Sequence, residues 1–169
     1  WSRIRAYRAD TRVRAWRSKA HQGADRIRNH LIDSARGLYV AICDADDVML
    51  PGHLRRSARV LDRNPKVGVA YADVMVVGEI GGGPWIYHYQ GLTKRWDLLE
   101  DTVWDPGALI RRSQMMKIGG YRSYPFMFDY DLFLRLAEVT PFRFVRGKPL
   151  YLYRRRSGSL SDRSYKAHF

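Results

Sequence analysis

One cysteine, Cys43, occurs in 169 residues. No internal disulfide can form, and the chain suits a reducing compartment such as the cytoplasm. No uninterrupted apolar run approaches the ~18 residues that cross a membrane. The opening residues lack the succession of charged, apolar and small residues that marks a secretory signal. Internal repeats and low-complexity tracts are missing as well. What remains is enough material for one ordinary core in 19.7 kDa, so residues 1–169 are expected to form a single domain. Hydrophobic residues at 46% and aromatics at 13% are too abundant for a disordered polymer. Cys43 lies in an apolar run and is expected in the core rather than as a nucleophile.

Acidic residues are scarce at both ends. The net charge is +13, from 30 Lys and Arg against 17 Asp and Glu. Up to Arg28, nine basic residues face two acidic ones, and from Phe142 onward eight face one. Each end therefore carries +7 and the middle −1. Such ends suit anionic lipid headgroups, a nucleotide diphosphate or nucleic acid, and they equally suit a solvated surface.

Hydrophobic spacing places a helix from Ala24 to Ala35, with Ile27, Leu31 and Ala35 on one face. The apolar run Leu38 to Cys43 then reads as a strand buried on both faces. Pro51 opens a second helix with Leu54, Ala58 and Leu61 at helical spacing. Val67 to Val77 and Trp85 to Tyr89 read as strands about the turn Gly81 to Pro84, while Leu92 to Asp105 has no clear pattern. Ala108 to Ile110 is a short strand, Ser113 to Ile118 a brief helix closed by Gly119 and Gly120, and Tyr130 to Val139 a longer helix. Phe142 to Val145 and Leu150 to Tyr153 complete the strands. Alternating strands and helices predict an α/β layer structure.

Asp44, Asp46 and Asp47 follow the first strand directly. In open α/β sheets, ligands bind beyond the carboxyl ends of strands. Three carboxylates so close repel one another unless cations or donors compensate them. Mg²⁺ or Mn²⁺ suits hard oxygen ligands and bridges to substrate phosphates. The plainer reading has Asp47 capping the helix behind Pro51 and leaves the other acids solvated.

The segments Gly23–Asn29, Ala35–Val40, Asp44–Asp47 and Leu50–Pro51 resemble the central block of family 2 glycosyltransferases. The resemblance implies the GT-A fold: one Rossmann-like α/β domain with a mixed, mostly parallel sheet flanked by helices. It also implies an inverting transfer from a nucleotide-diphosphate sugar to a saccharide or lipid-linked acceptor, as in cell-envelope polysaccharide biosynthesis. Asp44 and Asp46 would form the Asp-x-Asp motif, with Asp46 the principal ligand of Mn²⁺ or Mg²⁺ and Asp44 near the donor ribose. Arg28 and Asn29 match the donor-side helix.

Gly119-Gly120-Tyr121, with Phe128 to Leu136, resembles the family's second signature, an acidic pair before an apolar helix. By position Asp129 is the base that takes the acceptor proton. Phe128 stands where the first acid is usual, and Asp131 is a second candidate. The plainer reading makes Asp129 a helix N-cap. Leu150 to Ser161 resembles a closing segment that usually holds a His; Arg156 stands there, able to grip phosphate but not to ligate metal. His21, His30, His53, His88 and His168 lack metal-ligand spacing and read as surface or partly buried.

The resemblance covers about Gly23 to Ser161, and the family's opening strand is expected ahead of it, outside this sequence. Gln90 to Trp96 has the wrong spacing for the Gln-x-x-Arg-Trp motif of processive synthases, which favours single addition. Two other readings stay open. One is a basic module that binds nucleic acid through Arg interleaved with Tyr7, Trp16, Tyr153 and Tyr165, although no nucleic-acid motif supports it. The other is a transferase fold without activity. The basic ends would also suit peripheral contact with the cytoplasmic face of an anionic membrane.

Overall fold

The computed structural model describes residues 4, 6–7, 9–78, 84–89, 107–124 and 127–159. Leu92 to Asp105, the Gln90–Trp96 segment, Tyr165 and His168 lie outside that set, as do residues 81–83 of the glycine turn. No helix among the described residues is long and apolar enough to cross a membrane.

Four helices and eight strands are described: α1 Ala24–Ser34, β1 Tyr39–Ala41, β2 Val48–Met49, α2 His53–Arg63, β3 Val69–Tyr71, β4 Val74–Gly78, β5 Trp85–Tyr87, β6 Leu109–Arg111, α3 Arg112–Lys117, α4 Phe128–Val139, β7 Phe142–Phe144 and β8 Tyr151–Arg155. They form two four-stranded sheets, ordered β1-β6-β3-β7 and β2-β8-β4-β5. The α/β class expected from the pattern holds. The sheets are mixed, as expected, but not mostly parallel: among the described residues β3–β7 and β4–β8 are the parallel pairs and the other pairings are antiparallel. In the first sheet β6 runs reversed between β1 and β3, so both of its pairings are antiparallel. Parallel neighbours need a crossover, and α4 supplies one between β3 and β7.

Alternation along β3 divides the core. Val69 and Tyr71 enter one cluster with Ile110, Met115, Leu132, Phe133, Leu136 and Tyr151. Ala70 and Ala72 enter another with Leu61, Leu109, Val145 and Leu150. The two clusters lie on opposite faces because successive strand residues point opposite ways. Truncating fully buried Leu136 to Ala should cost about 2–5 kcal/mol.

Several expectations are corrected. Val67 to Val77 is two strands in different sheets, broken at Ala72-Asp73, where buried Asp73 accepts from the Tyr89 backbone N–H at 3.0 Å and pairs with His88 Nδ1 at 3.0 Å. The first strand lies at a sheet edge, so β1 is half-buried rather than covered on both faces, and Leu38 is 80% exposed. Cys43, beyond that edge, is exposed and not core. Helix α1 buries Asp25 and Ile32 and leaves Leu31 exposed, because its inward side also carries the polar contacts of Arg28 and Asn29. Helix α2 buries His53, Ser57 and Leu61 while Leu54 is exposed. His53, expected at or near the surface, is 1% exposed and pairs through Nε2 with the Gly107 carbonyl at 2.7 Å. Burial pushes its pKa down, with the Gly107 contact opposing, so its ring is neutral at pH 7.

Candidate functional site

Strand β2 leaves the acidic loop and pairs antiparallel with β8, Met49 opposite Tyr151 and Val48 opposite Leu152. This register lays the closing segment against Asp46 and Asp47, more than 100 residues away in sequence. Arg154 N–H donates to Asp47 Oδ1 at 2.9 Å, and the Tyr151 hydroxyl donates to Asp47 Oδ2 at 2.9 Å. Asp47 is therefore a tie between loop and strand, and its carboxylate caps no helix; the cap of α2 is Gly52. Burial raises the Asp47 pKa, with Asp46 and Asp44 adding to the rise, while the bonds from Arg154 and Tyr151 oppose it. Burial first, and then Asp47, pushes the Tyr151 hydroxyl far up, so it stays protonated and donating.

Asp46 and Asp44 each meet an arginine. Arg156 sets Nε at 2.9 Å and Nη2 at 2.6 Å from Asp46 Oδ2, and Arg154 Nε donates to the Asp46 carbonyl at 3.0 Å. Arg28, from α1, places Nη2 at 2.9 and 3.1 Å from the two oxygens of Asp44. Guanidinium groups thus offset the charge of Asp44 and Asp46, while Asp47 still feels both of them. Among the described residues no three His, Cys, Asp or Glu side chains converge as a ready metal cage. Asp44 and Asp46 are the carboxylates here whose hard oxygens would suit Mg²⁺ or Mn²⁺.

Arg28 also reaches the second signature. Its guanidinium carbon lies 5.4 Å from the centre of the Tyr121 ring and 5.3 Å from that of Phe128, within cation–π range. The neighbouring Asn29 donates through Nδ2 to the Tyr121 carbonyl and accepts at Oδ1 from the Tyr121 N–H, both at 2.8 Å. Its amide fixes the Gly119-Gly120-Tyr121 turn. Gly120 has φ 68, and a Cβ there would collide with the Asn29 side chain. The dipeptide Arg28-Asn29 therefore joins the acidic loop to the start of α4.

At that start the two candidate bases separate. Asp131 is gripped by Arg135, with Nε at 2.8 Å and Nη2 at 2.6 Å, and Arg122 lies 3.7 Å away. Arg135 also donates to the carbonyls of Ile118 and Gly120 at 2.8 Å each. Asp129 instead accepts one local bond, from the Tyr130 N–H at 2.9 Å. The N-cap is Met127, not Asp129, and Met127 holds a left-handed φ of 58. A non-glycine residue in that region carries strain, and such strain gathers at functional sites.

Sequence reasoning named Arg28, Asn29, Asp44, Asp46, Asp129 and Arg156. The structure joins Arg28 to Asp44 and Arg156 to Asp46, sets Phe128, next to Asp129, against Arg28, and turns Asn29 to the Tyr121 backbone. Sequence reasoning missed Tyr151 and Arg154, whose partners are distant in sequence, and Arg135, which besides nearby Asp131 holds two main-chain carbonyls. Other arginines act likewise: Arg111 donates to the carbonyls of Leu61 and Val67 at 2.7 and 2.8 Å, and Arg112 to that of Ile32 at 3.0 Å. Part of the basic charge thus closes main-chain ends.

Comparisons with known proteins bear on the family and the fold. The model of glycosyl transferase family 2 matches residues 1–119. Similar relatives include the uncharacterized protein y4gI of Sinorhizobium fredii, 32% identical over 92% of this chain and 18% of its own length. Another is the uncharacterized glycosyltransferase MJ1057 of Methanocaldococcus jannaschii, 24% identical over 75% of this chain and 45% of its own. Among solved structures, residues 1–349 of S. aureus TarS in complex with UDP-GlcNAc superpose with a TM-score of 0.77 at 16% identity, over 95% of this chain and 47% of that one. The complex of the same TarS fragment with UDP gives 0.68 at 14% identity, over 91% and 47%. The chain spans less than half the length of each of these proteins, and the likeness to TarS establishes the GT-A fold. From its matched residues and its fold, the chain belongs to glycosyl transferase family 2.

Proposed function

We propose that the protein containing this chain is an inverting, metal-dependent glycosyltransferase that adds single sugars from a nucleotide-diphosphate donor to an acceptor hydroxyl. The observation that carries the reading is Arg28, which touches both Asp44 of the acidic loop and Phe128 beside Asp129. One guanidinium thus ties the donor side to the start of the helix that bears the base.

Asp46 and Asp44 would hold Mn²⁺ or Mg²⁺, which supplies charge neutralisation for the departing diphosphate. Arg28 and Arg156 lie beside those carboxylates and would bind the diphosphate oxygens by charge-assisted hydrogen bonds. Asn29 acts at one remove, holding the Tyr121 turn against which Arg28 stacks. Asp129 accepts the proton of the acceptor hydroxyl as that oxygen attacks the anomeric carbon. Its carboxylate suits the task better than that of Asp131, which Arg135 already grips.

A saccharide or lipid-linked acceptor fits a role in cell-envelope polysaccharide synthesis at the cytoplasmic face of a membrane, with the basic ends near anionic lipid. The UDP and UDP-GlcNAc complexes of TarS make UDP-sugars the first donors to try. The test is transfer or donor hydrolysis by the full-length protein across a panel of nucleotide sugars, with Mn²⁺ or with chelator. Turnover that requires both Mn²⁺ and Asp129 supports the reading; no turnover with any donor, from protein shown to be folded, opposes it.

A further inference from the structure

We propose that Arg28 and Arg156 are resident counter-ions that change partners during donor binding, so that cation and diphosphate enter the site only together. The proposal rests on the reading of Asp44 and Asp46 as cation ligands and adds a mode of control to it.

Each of those carboxylates already has one guanidinium. Arg28 Nη2 lies 2.9 Å from Asp44, and Arg156 Nη2 lies 2.6 Å from Asp46. Two acids and two bases sum to no net charge. A divalent cation arriving alone finds a neutral site and has to compete with a guanidinium for each carboxylate. A diphosphate arriving alone finds guanidinium groups engaged by anions, and two carboxylates that repel it. When both arrive, the carboxylates turn to the cation and the guanidinium groups fork onto phosphate oxygens, and every charge then has an opposite neighbour.

The two arginines have different freedom. The Arg28 side chain is 12% exposed, and the edge-to-face pair of Tyr121 and Phe128 rings lies against one side of its guanidinium, at 5.4 and 5.3 Å. It is a fixed charge. Arg156 is 54% exposed and is the side chain that swings. Two departures from the family pattern then share one explanation. Phe128 in place of an acid supports Arg28 without claiming its hydrogen bonds. Arg156 in place of a His competes with the cation rather than ligating it, because a guanidinium has no lone pair to offer.

The experiment uses the full-length protein, with Mn²⁺ and uridine diphosphate as probes. Free Mn²⁺ is followed by electron paramagnetic resonance, and nucleotide binding by calorimetry, for wild type, Arg156→Gln and Arg156→Lys. Wild type should bind Mn²⁺ alone weakly, and Mn²⁺ should tighten nucleotide binding by roughly 10-fold or more, within the 5- to 150-fold usual for coupled sites. Arg156→Gln should bind Mn²⁺ alone several-fold more tightly, yet bind nucleotide with Mn²⁺ more weakly. Arg156→Lys should lie between, and it serves in place of the Gln variant if that one melts early. If Mn²⁺ tightens nucleotide binding to wild type but neither variant gains affinity for Mn²⁺ alone, the exchange is wrong and the metal site stands. If nucleotide binding to wild type ignores Mn²⁺, the metal reading itself fails and takes the exchange with it.

Discussion

The Tyr151 hydroxyl donates to Asp47 at 2.9 Å across 104 positions of sequence, and the same carboxylate accepts the Arg154 N–H. This tie holds the acidic loop against β8. Tyr151→Phe removes the donor and leaves a half-buried carboxylate with one bond fewer. Stability should fall by about 1.5–3 kcal/mol, the scale of a hydrogen bond to a charged group, as read by urea melts at pH 7.

The same carboxylate gives a pH signature. Its folded pKa is raised above 3.8, chiefly by burial, so the folded state binds the proton more tightly than the unfolded state does. Its contribution is therefore fully present below pH ~3.8 and is lost as pH rises through the folded value. Asp47→Asn cannot titrate. Wild type should lose stability relative to Asp47→Asn between pH 3.5 and pH 7, and a constant difference across paired melts would refute the assignment.

Asp129 and Asp131 should part company on substitution. Asp129→Asn should lower transfer by roughly 10²-fold or more with melting temperature nearly unchanged. Asp131→Asn weakens the ion pair that Arg135 makes while holding the Ile118 and Gly120 carbonyls. It should lower stability by about 1–3 kcal/mol and leave the rate of folded enzyme near normal. The reverse pattern would place the base two residues further along.

Asp46→Ala should abolish the advantage that Mn²⁺ gives to nucleotide diphosphate binding. Calorimetry with metal and with chelator reads the difference directly, and equal affinities in wild type would remove the basis for a metal at this loop.

The outer edge of β1 carries no strand among the described residues, and Leu38 beside it is 80% exposed. Open edges invite pairing with another chain. Association through this edge should show as dimers or aggregates at high concentration. Leu38→Lys should reduce the association, since charge at an edge discourages pairing. A monomer at high concentration in light scattering, with one cooperative melt, would count against this.

The sequence by itself marked the helices and most of the strands, though not β2 or the break between β3 and β4. Apolar periodicity marked α1, α2 and α4, because a helix or strand must present an apolar surface to any core. Gly119 and Gly120, with φ of 76 and 68, were legible as the stop of α3 because only glycine takes such angles freely. Asp44, Asp46 and Asp129 were legible from their places after a strand and at a helix start together with the family resemblance, since an acid at a helix start alone is ordinary. Only the tertiary structure decided what each charge touches. That Arg156 meets Asp46, that Tyr151 meets Asp47 and that Arg28 lies on Phe128 depend on the β2–β8 register and on how α1 packs. The same packing buried His53 and left Leu54 and Cys43 exposed, against the local pattern. Periodicity reports that a face is buried; the neighbour across the gap determines which face, and that neighbour is distant in sequence.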